Sequence, residues 1–328
     1  MTAQHDLNLS ASAPDVTDVS VAVLIPCYNE EAAVAGVVTG FQTALPGADI
    51  FVYDNNSTDR TREIAVSAGA IVRRETQQGK GYVVRRMFAD VEADIYVLVD
   101  GDGTYDASYA PVVVHQLLSG GLDLINVSRS GDSKVVHRPG HRLGNRVLSG
   151  IVASIFGNRF TDMLSGYKIL SRRFVKSFPA LSSGFEIETE LTVHALELSM
   201  PLAEAAAAYS DRASGSQSKL STVRDGIRIL RTIVVLVKEE RPLKFFAAVA
   251  AVIALAAGVL ILPVIGTYLE TGLVPRLPTA VLSMGLMILS ALSFTAGLIL
   301  DTVTRGRREA KRMRYLSIEA PNGRYESR

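Results

Sequence analysis

Two aspartates, Asp100 and Asp102, stand one residue apart at the end of an apolar run, Ile95–Val99. Gly101 between them allows the backbone to turn and a ligand to approach closely. Paired carboxylates at this spacing suit a hard divalent cation, Mg²⁺ or Mn²⁺, which prefers oxygen ligands. Such a cation would bridge a diphosphate and act as a Lewis acid for its departure. A solvated turn is the alternative for an isolated Asp-x-Asp, so the interpretation depends on neighbouring motifs.

Apolar runs alternate with helical patterns from residue 19 to about residue 128. The pattern predicts strands over residues 19–25, 50–53, 70–74, 95–99 and 122–127, and helices over residues 30–45, 57–68, 81–90 and from 108 onward. Ser57 or Thr58, and Ser108, are the expected helix caps. This alternation is typical of an α/β fold with a mostly parallel sheet covered on both faces. Ligands bind such sheets beyond the carboxyl ends of the strands, where the polar motifs lie here.

Several function classes are disfavoured by what the sequence lacks. No Gly-x-Gly-x-x-Gly follows the first strand, whose turn is Pro26–Glu31, and no Walker A motif is present. The net charge of +1 gives no argument for nucleic-acid binding. The single cysteine, Cys27, excludes an intrachain disulfide and agrees with a reducing compartment. Residues 1–18 have neither a basic nor an apolar signal region, so we expect a disordered tail there.

Two long uncharged stretches, 245–269 and 277–300, dominate the last third of the sequence. A helix needs about 20 apolar residues to cross a hydrocarbon core of about 30 Å, and each stretch is long enough. The connection over residues 270–276 is too short to hold a domain, which predicts a transmembrane hairpin over residues 242–301. A pair of buried core helices is the alternative, but soluble helices of this length usually have a polar face.

Basic residues flank both ends of the hairpin, and only Arg276 lies between the two stretches. The positive-inside rule therefore predicts a multi-pass inner (plasma) membrane protein, with the first domain, both termini and a basic tail over 302–328 in the cytoplasm. Residues 220–241 repeat apolar side chains at helical spacing, with Arg224, Arg228 and Arg231 on another face. We expect an amphipathic helix near anionic headgroups. A surface helix packed on the first domain is the alternative.

Four motifs occur together before the hairpin. They are Pro26-x-Tyr28-Asn29-Glu30, Asp54-x-x-Ser57-x-Asp59, Gly79-Lys80-Gly81 and Asp100-Gly101-Asp102. Their order and spacing resemble family 2 glycosyltransferases with the GT-A fold over about residues 19–220, so a catalytic domain is expected at 19–219. A later segment, Tyr209-x-x-Arg212-x-x-Gly215-x-Ser218-Lys219, and the hairpin resemble the polyprenyl-phosphate branch. That branch includes dolichyl-phosphate mannose synthases and bactoprenol glucosyltransferases.

The resemblance implies roles for residues on the nucleotide-sugar side. The nucleotide pocket would be lined by Pro26, Tyr28 and Glu30, with Asp54 at the edge of the base. Lys80 would lie near the nucleotide or its phosphates, and the metal and diphosphate would be held by Asp100, Gly101 and Asp102. A mobile lid over the phosphates would contain Arg212, Ser218 and Lys219. For residues 54–59, an Asx turn with a helix cap is the alternative. The resemblance also implies a strand at Leu202–Ala208, which we predict against that segment's strong helix propensity.

The basic stretch 128–149 directly follows the fifth predicted strand. In the resembled enzymes this region receives the lipid phosphate, which arginine can bind bidentately. The candidates are Arg129 and Arg142 first, then Arg138 and Arg146. Two histidines in the stretch have no carboxylate or cysteine at ligand spacing, so a solvated loop is preferred to a second metal site. Asp162 is the candidate general base, with Glu186 and Glu188 as alternatives that equally suit helix N-terminal charges.

The resemblance thus implies inverting transfer of a hexosyl group from a nucleotide sugar, UDP-hexose or GDP-mannose, to a membrane polyprenyl phosphate. The second pKa of a phosphate monoester is about 6, so a general base is less necessary than for a sugar hydroxyl. The metal at Asp102 and the side chains of Arg129 and Arg142 would position two phosphate groups that repel each other. A homo-oligomer is expected by resemblance alone. The alternatives are a glycan or glycolipid synthase, although the chain has no tryptophan for a Gln-x-x-Arg-Trp segment, and an inactive membrane-anchored nucleotide-binding scaffold.

Overall fold

The computed structural model describes residues 19–130, 162–184, 186–210 and 237–320, together with the isolated positions 150, 234 and 235. The chain divides into two compact units. The sheet unit comprises Met1–Gly226 with Lys311–Arg328, and the hairpin unit comprises Ile227–Ala310. Each unit has its own architecture, which follows from a different pattern of apolar residues.

The sheet unit contains seven strands within the described part of the chain. They are β1 (Val21–Cys27), β2 (Asp49–Asp54), β3 (Ile71–Arg74), β4 (Ile95–Leu98), β5 (Leu124–Ser130), β6 (Lys168–Ser171) and β7 (Leu202–Ala208). One sheet joins them in the order β3-β2-β1-β4-β6-β5-β7. Strand β6 pairs antiparallel with β4 and β5, whereas the other neighbours are parallel. The predicted α/β fold with a mostly parallel sheet is therefore confirmed.

Strand β6 is the one strand of the described residues that the sequence pattern does not predict. It has only four residues, all buried, and no alternation of polar and apolar side chains marks it. Because β6 runs against its neighbours, it begins at the edge of the sheet where β4 and β5 end. The segment that leads into it, residues 162–167, therefore lies at the same edge as the Asp-Gly-Asp motif.

Strand β7 shows tertiary context overriding local propensity. Its alanine-rich sequence favours a helix, yet every residue of Leu202–Ala208 pairs with β5 in parallel register. Ala205 and Ala207 are buried in the core while Ala206 and Ala208 are exposed, which is the two-residue period of a strand. The predicted strand is confirmed.

Six helices and one 3₁₀ turn cover the sheet within the described residues. They are α1 (Val34–Ala44), α2 (Thr61–Ser67), α3 (Lys80–Asp90), a 3₁₀ turn (Ala107–Tyr109), α4 (Ala110–Ser119), α5 (Arg172–Ser177) and α6 (Ile187–Leu198). Two predicted caps are wrong. Asp59, not Ser57 or Thr58, accepts from the backbone N–H of Thr61 at the start of α2. Asp106 accepts from the N–H of Ser108 and so caps the 3₁₀ turn that precedes α4.

The two faces of the sheet carry different clusters. Val23 and Val97 face an aliphatic core that includes α1 and α4. Tyr96, the neighbour of Val97 on β4, points to the opposite face, where its ring contacts Phe88. Fully burying an aliphatic side chain stabilises the folded state by about 1.5–3 kcal/mol, so packing on both faces of the sheet fixes the positions of the strand ends.

The hairpin unit is built from α7 (Pro242–Thr271) and α8 (Leu277–Leu316), both long and apolar enough to cross a membrane. Small residues seven apart make the contact between them, and they are Ala250 and Ala257 on α7 and Ser283, Ser290 and Gly297 on α8. The hydroxyl of Ser290 donates to the carbonyl of Ala250 at 2.8 Å. A Cβ at Gly297 would lie 2.9 Å from Cβ of Phe246, so glycine allows the close approach. Large side chains such as Leu255 and Leu292 point outward.

Helix α8 continues beyond the predicted membrane stretch to Leu316, and its last residues belong to the sheet unit. There Lys311 forms a 2.7 Å ion pair with the buried carboxylate of Glu197. The hydroxyl of Tyr315 donates to Asp123, a fully buried residue directly before β5. Residues 302–316 of the stretch predicted as a basic tail are therefore helical, and those from Lys311 onward pack within the sheet unit.

Candidate active site

The sheet topology gathers the candidate residues at one edge. Pro26 is the second-last residue of β1, and Asp54 is the last residue of β2. Asp100 and Asp102 follow β4, while Arg129 lies near the end of β5. Because these strands are parallel in direction, their carboxyl ends share an edge, as expected for a ligand site in this fold.

Asn55 connects three parts of this edge, although sequence reasoning did not single it out. Its backbone N–H donates to the carbonyl of Cys27 at 2.9 Å. Its side-chain amide donates to the carbonyls of Glu75 (3.0 Å) and Gln77 (2.7 Å), and its side-chain oxygen accepts from the N–H of Gly79. The loop that precedes α3 is thereby fastened to the ends of β1 and β2. An amide at a strand end, able both to donate and to accept, was the available signal.

The residues expected to line a nucleotide pocket lie beside this loop. Tyr28 is exposed, whereas Glu30 is buried and its carbonyl accepts from the first N–H groups around the start of α1. The carboxylate of Asp54 accepts from the N–H of Ser57 at 3.1 Å, which is the Asx turn considered above. Asn29 adopts a left-handed backbone conformation with φ of 52°, and its side chain accepts from the N–H of Thr58. The turns after β1 and β2 are thus hydrogen-bonded to each other.

An ion cluster forms where α3 and α6 begin. The ammonium of Lys80 lies 2.5 Å from Oδ1 of Asp100 and 2.6 Å from Oε1 of Glu188. Burial raises the pKa of Asp100 to about 6; Lys80 opposes this shift, and the nearby carboxylates of Glu188 and Asp102 add to it. Burial alone would lower the pKa of Lys80, but its two carboxylate partners raise it above its usual range. Two carboxylates share the Lys80 ammonium, and a third, that of Asp102, acts on Asp100, so the concentration of negative charge suits an additional cation.

The surroundings of Asp100 and Asp102 decide whether these two aspartates could hold a divalent cation. Asp102 is buried, and its Oδ1 accepts from the N–H and hydroxyl of Thr104. Among the described residues, no group of three or more His, Cys, Asp or Glu side chains is arranged to hold a metal. Mg²⁺ commonly binds through one or two carboxylates and takes its other ligands from water and substrate phosphates. Asp100 and Asp102 fit that mode of binding, with the substrate completing the shell.

Glycines hold the loops of this cluster at close range. A Cβ at Gly101 would lie 2.5 Å from the sulfur of Cys27, so the Asp-Gly-Asp turn packs directly on the end of β1. A Cβ at Gly166 would overlap the carboxylate of Asp100. The segment before β6 therefore presses its backbone against a candidate metal ligand, and a side chain at Gly166 would displace that carboxylate.

Arg129 and Asp162 form a bidentate ion pair. Nε of Arg129 lies 2.7 Å from Oδ2 of Asp162, and its Nη2 donates to Oδ1 at 2.8 Å. The guanidinium also lies 5.7 Å from the ring centroid of Tyr209. Burial alone would raise the pKa of Asp162, but Arg129 holds that pKa below its usual range. The carboxylate is therefore a weak proton acceptor and a strong anchor for the guanidinium.

A buried polar set supports this ion pair from behind. The side-chain amide of Asn126 donates to the carbonyl of Asp162 at 2.7 Å and to Glu204 at 3.1 Å. The ammonium of Lys168, which is fully buried, donates to the side-chain oxygen of Asn126 at 2.5 Å. Burial lowers the pKa of Lys168 to about 8. Neither Lys168 nor Asn126 was identified from the sequence, because their partners are distant along the chain.

Other candidates fall outside the described residues. These are Arg138, Arg142 and Arg146 of the basic stretch, Arg212, Ser218 and Lys219 of the predicted lid, and most of the predicted interface helix over 220–241. Glu186 and Glu188, the alternative bases, lie at the start of α6, and Glu188 is the one bonded to Lys80.

Comparison with known proteins identifies the family. The protein-family model described as "Glycosyl transferase family 2" matches residues 22–177. Glycosyltransferase AglJ of Haloferax volcanii is 34% identical over 236 residues, which cover 70% of this chain and 76% of that protein. The chain belongs to glycosyl transferase family 2. A second relative, also from Haloferax volcanii, is named dolichyl-phosphate hexose transferase. It is 26% identical over 67% of this chain and 95% of its own length.

A solved structure shares the fold of this family 2 chain. It is glucosyl-3-phosphoglycerate synthase from Mycobacterium tuberculosis, in complex with Mn²⁺, uridine-diphosphate and glucosyl-3-phosphoglycerate. The TM-score is 0.55 at 23% identity, and the match covers 68% of this chain and 80% of that one. The resemblance to GT-A glycosyltransferases is therefore confirmed at the level of fold.

Replacing Asn55 by Ala should weaken binding of the nucleotide sugar in this glycosyltransferase. The change removes the amide that fastens Gly79 and the preceding loop, leaving buried backbone groups without partners. We expect KM for the nucleotide sugar to rise about tenfold and the free energy of unfolding to fall by about 1–3 kcal/mol. Steady-state kinetics and chemical denaturation measure the two effects. Gln78→Ala, which removes an exposed amide from the same loop, should leave both near wild type; an equal effect there would contradict the role of Asn55.

Proposed function

We propose that this glycosyltransferase transfers a hexosyl group, with inversion, from UDP-hexose or GDP-mannose to a membrane polyprenyl phosphate. One observation carries the proposal. A partly buried arginine, Arg129, is oriented by Asp162 at the same sheet edge as the carboxylates of Asp100 and Asp102. The site thus offers a cation for an acceptor phosphate beside a position suited to a donor diphosphate.

The lipid acceptor is supported by the hairpin unit. Helices α7 and α8 are long and apolar enough to cross a membrane, and basic residues flank them. We propose that they form a transmembrane hairpin with the sheet unit on the cytoplasmic side, in line with the positive-inside rule. The relative named dolichyl-phosphate hexose transferase adds support, since its name refers to a lipid of the polyprenyl-phosphate class.

On the donor side, Asp100 and Asp102 would hold Mg²⁺ or Mn²⁺, which would neutralise the diphosphate and act as a Lewis acid for its departure. The structural neighbour crystallised with Mn²⁺ and uridine-diphosphate is consistent with this choice. Lys80 would exchange a carboxylate partner for a phosphate oxygen when the nucleotide sugar binds. The nucleotide would be held by Pro26, Tyr28, Glu30 and Asp54. The lid over the phosphates would contain Arg212, Ser218 and Lys219.

On the acceptor side, Arg129 would bind the lipid phosphate, with Arg138, Arg142 and Arg146 as further candidates. A phosphate monoester with a second pKa of about 6 is largely a dianion at neutral pH, so its oxygen can attack without a base. Asp162, paired with Arg129 and with its pKa held low, would orient the guanidinium and so position the phosphate. The main demand on the site is then to bring two anions together.

A donor screen tests this function. The purified full-length protein in detergent is incubated with undecaprenyl phosphate and radiolabelled UDP-glucose, UDP-galactose or GDP-mannose, with Mn²⁺, Mg²⁺ or EDTA. We expect one donor to yield a labelled lipid phosphate sugar, and EDTA to abolish its formation. Polymer formation would instead indicate a processive synthase. Nucleotide binding without metal dependence and without transfer, measured by calorimetry, would indicate a scaffold.

A further inference from the structure

Tyr105 connects the two halves of the proposed site. It lies three residues after Asp102, and its hydroxyl accepts from the N–H of Gly166 at 2.9 Å. The same hydroxyl lies 3.3 Å from Oγ of Ser165. Since the backbone of Gly166 presses on the carboxylate of Asp100, the phenol of Tyr105 holds the turn that fixes this carboxylate.

The ring of Tyr105 reaches the acceptor side. Its centroid lies 5.2 Å from that of Tyr209, in an edge-to-face arrangement. Tyr209 in turn lies under the guanidinium of Arg129. A backbone bridge joins Tyr105 to Tyr209, and the N–H of Ser210 donates to the carbonyl of Thr104 at 2.9 Å. The Tyr105 side chain therefore contacts Gly166, beside Asp100, through its hydroxyl, and Tyr209, beside Arg129, through its ring.

The electrostatics agree with this position between the two charges. Burial raises the pKa of Tyr105 well above its usual range, with the field of Arg129 opposing the shift and that of Asp100 adding to it. The phenol consequently remains protonated near neutral pH. It can accept from Gly166 while donating to the hydroxyl of Ser165, so both bonds are compatible.

We propose that Tyr105 is a positioning residue that sets the separation between the donor diphosphate at Asp100 and the acceptor phosphate at Arg129. This inference rests on the proposed function. Direct displacement requires the attacking oxygen to approach the anomeric carbon at close range, and a shift of about 1 Å lowers the rate about a hundredfold. If the hydrogen bonds of Tyr105 are lost, each substrate still binds its own residues, but the two substrates are no longer aligned for the reaction.

Tyr105→Phe tests the proposal by removing one oxygen atom. We expect kcat for transfer to undecaprenyl phosphate to fall about 10- to 100-fold, while KM for each substrate stays within about threefold of wild type. We also expect a larger share of the donor to be hydrolysed by water instead of transferred to the lipid. The ratio of transfer to hydrolysis does not depend on how much of the protein folds, so reduced folding does not obscure the result.

Tyr167→Phe is the matched control. The ring of Tyr167 contacts that of Tyr105 with centroids 5.5 Å apart, but its buried hydroxyl has no hydrogen-bond partner within the described part of the chain. We expect wild-type kcat and an unchanged ratio. A wild-type ratio in Tyr105→Phe, or the same loss in Tyr167→Phe, would overturn the role of Tyr105. Absence of lipid transfer by the wild-type protein would instead overturn the proposed function.

Discussion

Asp102→Asn is expected to lower kcat for sugar transfer by about a thousandfold. The amide keeps the volume of the side chain and an oxygen that can still accept from Thr104. It removes the negative charge with which Asp102 would hold a divalent cation under the proposed function. Metal stabilisation of a departing diphosphate contributes several kcal/mol, and each 1.36 kcal/mol corresponds to about a factor of ten in rate. Initial rates with saturating nucleotide sugar and Mn²⁺ measure the effect.

Asp106→Asn provides the matched control for this prediction. Asp106 is an exposed acid on the same loop, and it caps the 3₁₀ turn through one oxygen. Asparagine is an equally good cap, so rate and stability should remain at wild-type levels. Both variants should be recovered from the membrane fraction in equal amounts. Near-normal turnover in Asp102→Asn, or an equal loss in Asp106→Asn, would refute the metal role.

Arg129→Ala should raise KM for undecaprenyl phosphate by about 10- to 100-fold and leave KM for the nucleotide sugar unchanged. A hydrogen bond to a charged group contributes about 1.5–3 kcal/mol, which sets this range. The single substitution also leaves Asp162 as a buried charge without its bidentate partner. We therefore expect the free energy of unfolding to fall by up to about 3–5 kcal/mol.

The double variant Arg129→Ala with Asp162→Asn separates the two effects. Neutralising Asp162 removes the unpaired charge and should restore most of the stability, while acceptor KM stays high. Asp162→Asn alone should reduce kcat by only about tenfold, since Asp162 orients the guanidinium and a lost orienting bond contributes about 1–2 kcal/mol. Loss of all turnover in Asp162→Asn with acceptor KM unchanged would instead support a general base. Wild-type acceptor KM in Arg129→Ala would remove Arg129 from the phosphate site.

The placement of the candidate donor-side residues at one sheet edge was predictable, because they directly follow apolar strands. Asp54 and Asp100 each come immediately after or at the end of a run that reads as a buried strand. Parallel strands place such positions at one edge, so local patterns are sufficient. The position of Arg129 follows from the same pattern, as it lies near the end of β5, whereas its role came from the family resemblance and stays a prediction.

The supporting contacts were not predictable, because each joins residues with no local relation. Glu188 reaches Lys80 across 108 positions, and Lys168 meets Asn126 across 42. Strand β6 has four buried residues and no alternation, so nothing in the sequence marks its reversed direction. That reversal brings Gly166 against Asp100 and makes Tyr105 a neighbour of both halves of the site.

Caps and helix ends were missed for a different reason. Ser57, Thr58 and Ser108 are good caps by type, but nearby aspartates accept from the N–H groups of Thr61 and Ser108 instead. The end of α8 was also missed, since its arginine-rich sequence was interpreted as a basic tail. Lys311 and Tyr315 instead pair with the buried acids Glu197 and Asp123. Such pairing depends on where the acids lie in the folded sheet unit.

A competition between two lipid acceptors tests the proposed chemistry most directly. The full-length protein in detergent receives the active nucleotide sugar and Mn²⁺ with equal amounts of undecaprenyl phosphate and undecaprenol, which differ only in the phosphate group. If a phosphate dianion bound by Arg129 attacks the sugar, we expect the label on the phosphate lipid alone. Label on the alcohol, or equal use of both lipids, would contradict an acceptor site built around a phosphate.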